Sequence, residues 1–539
     1  MTARHTGPTR RRAPLVAVAG LTGRLVRRGA VIVGVAVAAY AAMEVQIFDT
    51  TYPDLASRLQ LVMLAQDPAV RVMQGLPVGT STGALVVWDA GWFMQLILGV
   101  WAVVTASRVL RGDEELGRTD LVLAGPVQAR AALATQLAVL WAACAGIGLV
   151  IGLGMALSGT GLAGALVFAA QVAGFGATFV AFTAVSAQVF GSRGRVVGVA
   201  SSMLFLAVVV RMVANSADSR TWVAWLTPLG WSDHLQAYGD HHLAVLLVPA
   251  AVVLGLGGLA VALRGRRDTG SALVVGHRDA RSRRIGTSSA LAFAFRSSLG
   301  SVLAWGAGVV VLGVATGVLL PSMVEFVEGD ASYGEILAAF GLDPADILLG
   351  YVAMMATITG LVVALHVTWR IGAARAEEDS QRLEHLLVRP VQRWRWLGGQ
   401  VLVGVVSGVG LLVASAAATW AAARAAGADL AASDVVAAAL NPLPVVAVSL
   451  GLAVALLGLS PRLVVPLGAG LTVAAYVLQI VGPALDWPDA VVSLSPFHHL
   501  ALVPVDPVDT TSALVMLAVA AALTAAGVVA FQRRDLVGG

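Results

Sequence analysis

Twelve apolar runs of roughly 20 residues recur along the chain, each long enough as a helix to cross ~30 Å of hydrocarbon at 1.5 Å per residue. That repetition confines the chain to one broad class, an all-α polytopic membrane protein. The spans are expected near residues 30–48, 84–107, 131–156, 162–190, 196–215, 243–263, 301–321, 346–369, 397–422, 435–459, 463–481 and 512–532.

Composition agrees. Only 12% of the 539 residues are charged, against about a quarter in soluble domains. The 59 glycines suit helices that pack closely in lipid. Cys144 is the single cysteine, so an intrachain disulfide and a thiolate metal cluster are both excluded, and a lone cysteine within a span reads as packing. The chain has no lysine; all 35 basic residues are arginine. A P-loop needs a Gly-Lys pair, so no Walker motif is expected here. Leu397-Gly398-Gly399-Gln400 has the form of an ATPase signature but sits where a span begins, and it reads as coincidence. Arg10, Arg11 and Arg12 precede an apolar run, yet Arg24, Arg27 and Arg28 interrupt it, so the N-terminus is expected to remain uncleaved.

With twelve spans, alternate connections fall on opposite sides. One side collects 30 arginines and 11 acids; the other holds Arg58, Arg71, Arg220 and Arg424 with 18 acids. Arg211, Glu44 and Asp89 are left within spans. The positive-inside rule assigns the arginine-rich side, with both termini, to the cytoplasm.

Two charged stretches on that side repeat one another. Shifting GDEELGRTDLVLAGPVQAR (112–130) by 264 residues places Arg111 on Arg375, Glu114 on Glu378, Glu115 on Asp379, Arg118 on Arg382 and Pro126-Val127-Gln128 on Pro390-Val391-Gln392. Beyond the fifth span of each half, Thr227-Pro228 answers Ser495-Pro496 at a shift of 268. Landmarks at near-constant spacing imply duplication, and six spans per copy make the repeats parallel. The halves are residues 1–263 and 288–539, joined by a cytoplasmic linker over 264–287. Within each charged stretch, Glu114/Arg118 and Glu378/Arg382 are spaced i,i+4, which supports a helix. Gly125 is placed to end the first such helix in a left-handed turn, with Pro126 opening the next. A solvated loop accounts for the arginines but not for the acids kept in register in both copies; a docking surface for a cytoplasmic partner accounts for both.

These residues resemble the permease subunits of ABC-2-type exporters. In that family a coupling helix between spans two and three carries the pattern E-E-x-G-R-x-x-L-L-L-A-x-P-V-x-R. Glu114, Glu115, Gly117, Arg118, Leu121, Leu123, Ala124, Pro126 and Val127 match it; the second copy keeps Glu378, Arg382, Leu386, Leu387, Pro390 and Val391 but has Gln381 for the glycine. The resemblance implies coupling helices over 112–125 and 376–389, with Glu114, Glu115, Arg118, Glu378, Asp379 and Arg382 as coupling residues. It implies amphipathic elbow helices over 14–29 and 288–300 lying against membrane lipid, and outer re-entrant elements at Thr227-Pro228 and Ser495-Pro496. The duplicated form looks like the actinobacterial permeases described as exporters of polyketide antibiotics, the tetronasin type included. Two copies of a separate cytoplasmic ABC ATPase, holding ATP and Mg, would power export of an amphiphilic small molecule across a bacterial plasma membrane. The permease itself would carry no catalytic residue, cofactor or metal and would bind no nucleic acid.

Two other classes compete. Twelve spans in parallel halves also describe ion-driven transporters of the major facilitator type, but those usually show a Gly-Asp-Arg-basic motif where this chain has an acid-rich stretch. A membrane enzyme would want clustered carboxylates or histidines at one face; His241-His242 and His498-His499 are pairs in loops and read as solvated. Polar residues inside spans are functional candidates by default: Glu44, Asp89, Gln95, Arg211, Thr357 and His366, with Glu44 placed to pair with Arg211.

Overall fold

The computed structural model describes residues 8–66, 68–273, 289–328, 347–379, 392–484 and 487–534. Twelve helices among them are long and apolar enough to cross a membrane. In the first half these are span one (Pro8–Thr51), two (Gly91–Ser107), three (Ala129–Leu157), four (Leu162–Val189), five (Arg193–Asn215) and six (Leu247–Arg264). In the second half they are span seven (Ala290–Glu328), eight (Ile347–Asp379), nine (Arg393–Ala425), ten (Leu443–Leu459), eleven (Val464–Ala484) and twelve (Thr510–Arg533). The chain divides into two compact units, Met1–Ala280 and Arg281–Gly539.

Each unit packs by the same partnerships. Span one lies on span three, and span four is central, touching spans two, three, five and six. In the second unit span seven lies on span nine, and span ten packs on spans eight, eleven and twelve. Small residues allow the close approaches that lipid-embedded helices depend on. A Cβ on Gly152 would stand 2.6 Å from the carbonyl oxygen of Ala165, so span three can meet span four there only as glycine. Cys144 is buried in this contact region.

Three local expectations are revised. Residues 14–29 and 288–300 are not separate helices: span one runs unbroken from Pro8 to Thr51 and span seven from Ala290 to Glu328. The second span is two helices, Thr82–Asp89 and Gly91–Ser107, followed by a π-helical turn over Arg108–Gly112. The expected single helix over 112–125 is two short ones, Asp113–Glu115 and Arg118–Leu123, and the left-handed glycine is Gly117 (φ 69°), not Gly125. Gly125 hydrogen-bonds within its own turn, and span three begins at Ala129 with Gln128 as its N-cap, three residues past Pro126. Of the matching stretch 376–389, residues 380–389, Arg382 included, lie outside the described residues.

Candidate functional site

The left-handed Gly117 decides what the first charged stretch does. Only glycine takes that conformation without steric cost, and the break separates Glu114 from Arg118. The i,i+4 pair therefore does not form. Arg118 turns to solvent and meets Asp113 at 3.2 Å, while Glu114 turns inward and is buried.

Buried Glu114 is the centre of a charged knot. The guanidinium of Arg267 donates to both of its carboxylate oxygens at 2.6 Å, in the two-pronged geometry that makes Arg–carboxylate bonds strong. The Gly270 amide donates a further bond at 2.7 Å, and Arg111 stands 3.4 Å away. The arginines are satisfied in turn. Arg267 donates to the Gln188 side chain (3.0 Å) and the Ser271 carbonyl (2.9 Å); Arg111 donates to the carbonyls of Gly191 (2.7 Å) and Ser271 (3.1 Å). The Glu114 and Arg267 side chains are each 2% exposed. One knot thus gathers the end of span two, the turn between spans four and five, and the segment after span six. Glu115, half a turn on, accepts a bond from the Arg193 amide at the start of span five (2.7 Å).

The second half contains the same pair. Both oxygens of buried Glu378 accept from Arg534, at 2.9 and 2.7 Å. Arg393, opening span nine, donates to the Arg534 carbonyl at 2.8 Å. The side chain of Asp379 is outside the described residues. The arginine partners were absent from the expected site, although the sequence contained their signature: Arg266-Arg267-Asp268 recurs as Arg533-Arg534-Asp535 at a shift of 267, just beyond the last span of each half.

The Ser/Thr-Pro elements also match in geometry. Thr227 donates its hydroxyl to the carbonyl of Ala207 in span five at 2.8 Å; Ser495 donates to the carbonyl of Ala475 in span eleven at 2.7 Å. Both hydroxyls are buried. Pro228 and Pro496 follow, between short helices that fold back on the span rather than cross it: Asp218–Leu226 and Gly230–Leu235 in the first half, Pro496–His499 in the second.

The candidate polar residues are brought together only in part. Arg211 does not pair with Glu44. It forms a two-pronged ion pair with Asp233 (3.0 and 2.8 Å) and donates to the carbonyls of Met73 (3.4 Å) and Gln74 (2.8 Å). Gln74 donates to Asp89 at 2.9 Å, and Ser232 donates to the buried Gln95 at 2.8 Å. Gln95 and Arg211 line one cavity with Trp92, Gln171 and Asp233. Tyr238 closes this end of the unit, its ring against Gly83 and Gly164 and its hydroxyl 2.8 Å from that of Thr160. Glu44 is half-buried and takes a hydrogen bond from Tyr40. In the second unit, fully buried His366 meets the Ser407 hydroxyl at 3.0 Å and the edge of Trp305; Thr357 bonds back to its own helix at Ala353. No group of three or more metal-ligating side chains occurs among the described residues.

Comparison with known proteins places this arrangement. Residues 288–532 match the family described as the C-terminal domain of the multidrug efflux system permease Rv1217c. Over 492 residues the chain is 30% identical to the multidrug efflux system permease protein Rv1217c of Mycobacterium tuberculosis, covering 90% of this chain and 89% of that protein. Twelve spanning helices and similarity along nine-tenths of both chains lead to one conclusion: this multi-pass membrane protein belongs to the multidrug efflux permease family that includes Rv1217c.

Proposed function

We propose that the chain is the membrane subunit of an ABC-2-type exporter, moving amphiphilic compounds outward with energy from two copies of a separate cytoplasmic ABC ATPase. The segments 112–125 and 376–389 are its coupling elements, each within one of two parallel six-span repeats. ATP and Mg belong to the partner; this chain supplies docking and the path. The protein spans a bacterial plasma membrane with both termini in the cytoplasm, a placement the arginine distribution supports.

The observation that carries the reading is the outward surface of the first segment. Leu116 is 66% exposed and Leu121 is 79% exposed, beside the exposed Arg118 and Asp120. Two bare leucines in an acid-base setting, on the arginine-rich side, form an apolar centre with a polar rim, the anatomy of a protein-binding patch. Glu114 faces inward and Glu115, though exposed, holds the Arg193 amide, so both position the segment; the leucines and Arg118 meet the partner. At the outer end, Gln95 and Arg211, which line one cavity, are the best-placed groups to meet polar parts of a substrate in the first half, with Asp89 and Glu44 as further candidates.

Placing two aspartates at the patch tests this. Leu116→Asp with Leu121→Asp should leave the amount of permease in the membrane unchanged. Vanadate-sensitive ATP hydrolysis should no longer co-purify, and drug export should fall by at least about tenfold, because two charges would be desolvated at the core of the contact. Full export by the double variant, abolished by a protonophore, would instead identify an ion-driven transporter.

A further inference from the structure

We infer that Glu114 and Glu378 are latches that tie each coupling segment to the last span of its own half, so that spans six and twelve are driven by the partner along with spans two and eight. The inference rests on the coupling reading above. It goes beyond that reading by naming which helices follow the segment and which atoms make them do so.

The two latches lie 153 and 156 residues apart along the chain from acid to base, so neither is a local helix contact. Arg267 stands three residues beyond the end of span six and Arg534 one residue beyond the end of span twelve. An arginine in such a place ordinarily reaches for water and lipid phosphate. Here both are turned back onto a buried carboxylate. The two parallel N–H···O bonds from Arg267 fix orientation as well as distance, and Arg534 spans both Glu378 oxygens from one terminal nitrogen. Opening such a pair out of water would leave a charge uncompensated, so the pair persists where the exposed Arg118–Asp113 contact would come and go.

Other groups around Glu114 reinforce the link rather than compete for it. The Gly270 amide comes from the same post-span segment as Arg267, and Arg111 ties that segment's Ser271 carbonyl to the end of span two. In the second half, Arg393 holds the Arg534 backbone, so the start of span nine joins the end of span twelve. The same linkage thus occurs twice, with different supporting residues.

The experiment uses full-length permease purified with its ATPase. Glu378→Gln and Arg534→Gln should retain the bound ATPase but lose at least about tenfold of the substrate-stimulated part of ATP hydrolysis, since a broken buried pair costs more than the free energy of a factor of ten. The double variant should be no worse than either single one. In a Cys144→Ala background, Glu378→Cys with Arg534→Cys should be uncoupled when each thiol is capped separately. It should be recoupled when one bifunctional thiol reagent bridges them, an outcome that a role in stability alone would not produce. Glu114→Gln and Arg267→Gln should repeat the loss in the first half. Normal stimulation in the Gln variants, additive losses in the double, or no recovery on bridging would each overturn the latch. If no ATPase accompanies the wild-type permease, the coupling reading fails first. The latch as a transmission element then falls with it, and a non-additive melting-temperature cycle in the permease alone would leave only a structural pair.

Discussion

In the first half, Arg211 on span five grips Asp233 and the carbonyls of Met73 and Gln74, which end the short helix Pro68–Gln74. Shift by 268 residues and the same places hold Gln479 and Ala501. At the glutamate–arginine pairs the halves agree: a buried glutamate holds an arginine past the last span of each half by both carboxylate oxygens. The hydroxyl anchors Thr227 and Ser495 agree as well, each reaching a span carbonyl 20 residues back. The difference runs the other way at mid-span, where His366 and Ser407 of the second half correspond to Ala102 and Ala143 of the first. The two halves are therefore alike where glutamate–arginine pairs and hydroxyl anchors hold helices in register, and unlike in the polar groups elsewhere. Two halves that share these holding contacts and differ in their other polar groups keep similar packing while exposing unlike chemistry.

The strongest way to break this comparison is at Arg211. Its side chain is 8% exposed and its partner 33%, so Arg211→Ala leaves a carboxylate and two carbonyls without their donor. A loss of about 3 kcal/mol is expected, read as a fall in the melting temperature of the purified protein. Gln479→Ala should cost about 1 kcal/mol or less, within the ordinary range for a neutral side chain. Equal losses at the two positions would show that the halves differ in sequence there but not in physics.

A subtler test concerns the features held in common. Thr227→Val and Ser495→Ala should each cost about 1 kcal/mol, the worth of one hydrogen bond to a buried carbonyl, and the two shifts should agree within error. A large loss in one half and none in the other would remove the hydroxyl anchor from the shared mechanics.

The smallest effect belongs to Arg118. Its ion pair with Asp113 is exposed, so Arg118→Ala should change stability by no more than about 0.5 kcal/mol. On the proposed coupling reading, any defect it shows should lie in association with the ATPase.

Span number and approximate position were legible because the apolar runs are long and the interruptions between them charged, a signal that depends on length alone. The matching charged stretches were legible because acids, arginines and prolines recur at one spacing. The direction in which those acids face was not. Glu114 and Arg118 satisfy the i,i+4 rule on paper, and a single left-handed residue at Gly117 cancels it. The partner of Glu114 lies 153 residues away, beyond any local pattern; the recurring Arg-Arg-Asp after each half was the available clue. Arg211 and Glu44 were natural partners by charge, but Asp233 reaches Arg211 from a short helix folded back between spans five and six. Hydropathy and charge counts carry no information about such a fold-back.

Span one has a mechanical consequence of its own. Its 44 residues form one uninterrupted helix, about 66 Å long, against ~30 Å of hydrocarbon. Even at the steepest tilt common for membrane helices, about 40°, the rod cannot be contained within the bilayer. Some 15 Å or more must stand outside it, and the stretch carrying Arg24, Arg27 and Arg28 borders, through Thr22 and Leu25, a cavity that Asp113, Glu114 and Arg118 also line. Pivoted where it enters the lipid, such a rod behaves as an oar: a rotation of about 10° inside the membrane sweeps its far end by several ångströms past that segment. Motion among the spans would thereby reach the segment at residues 112–125 without a hinge.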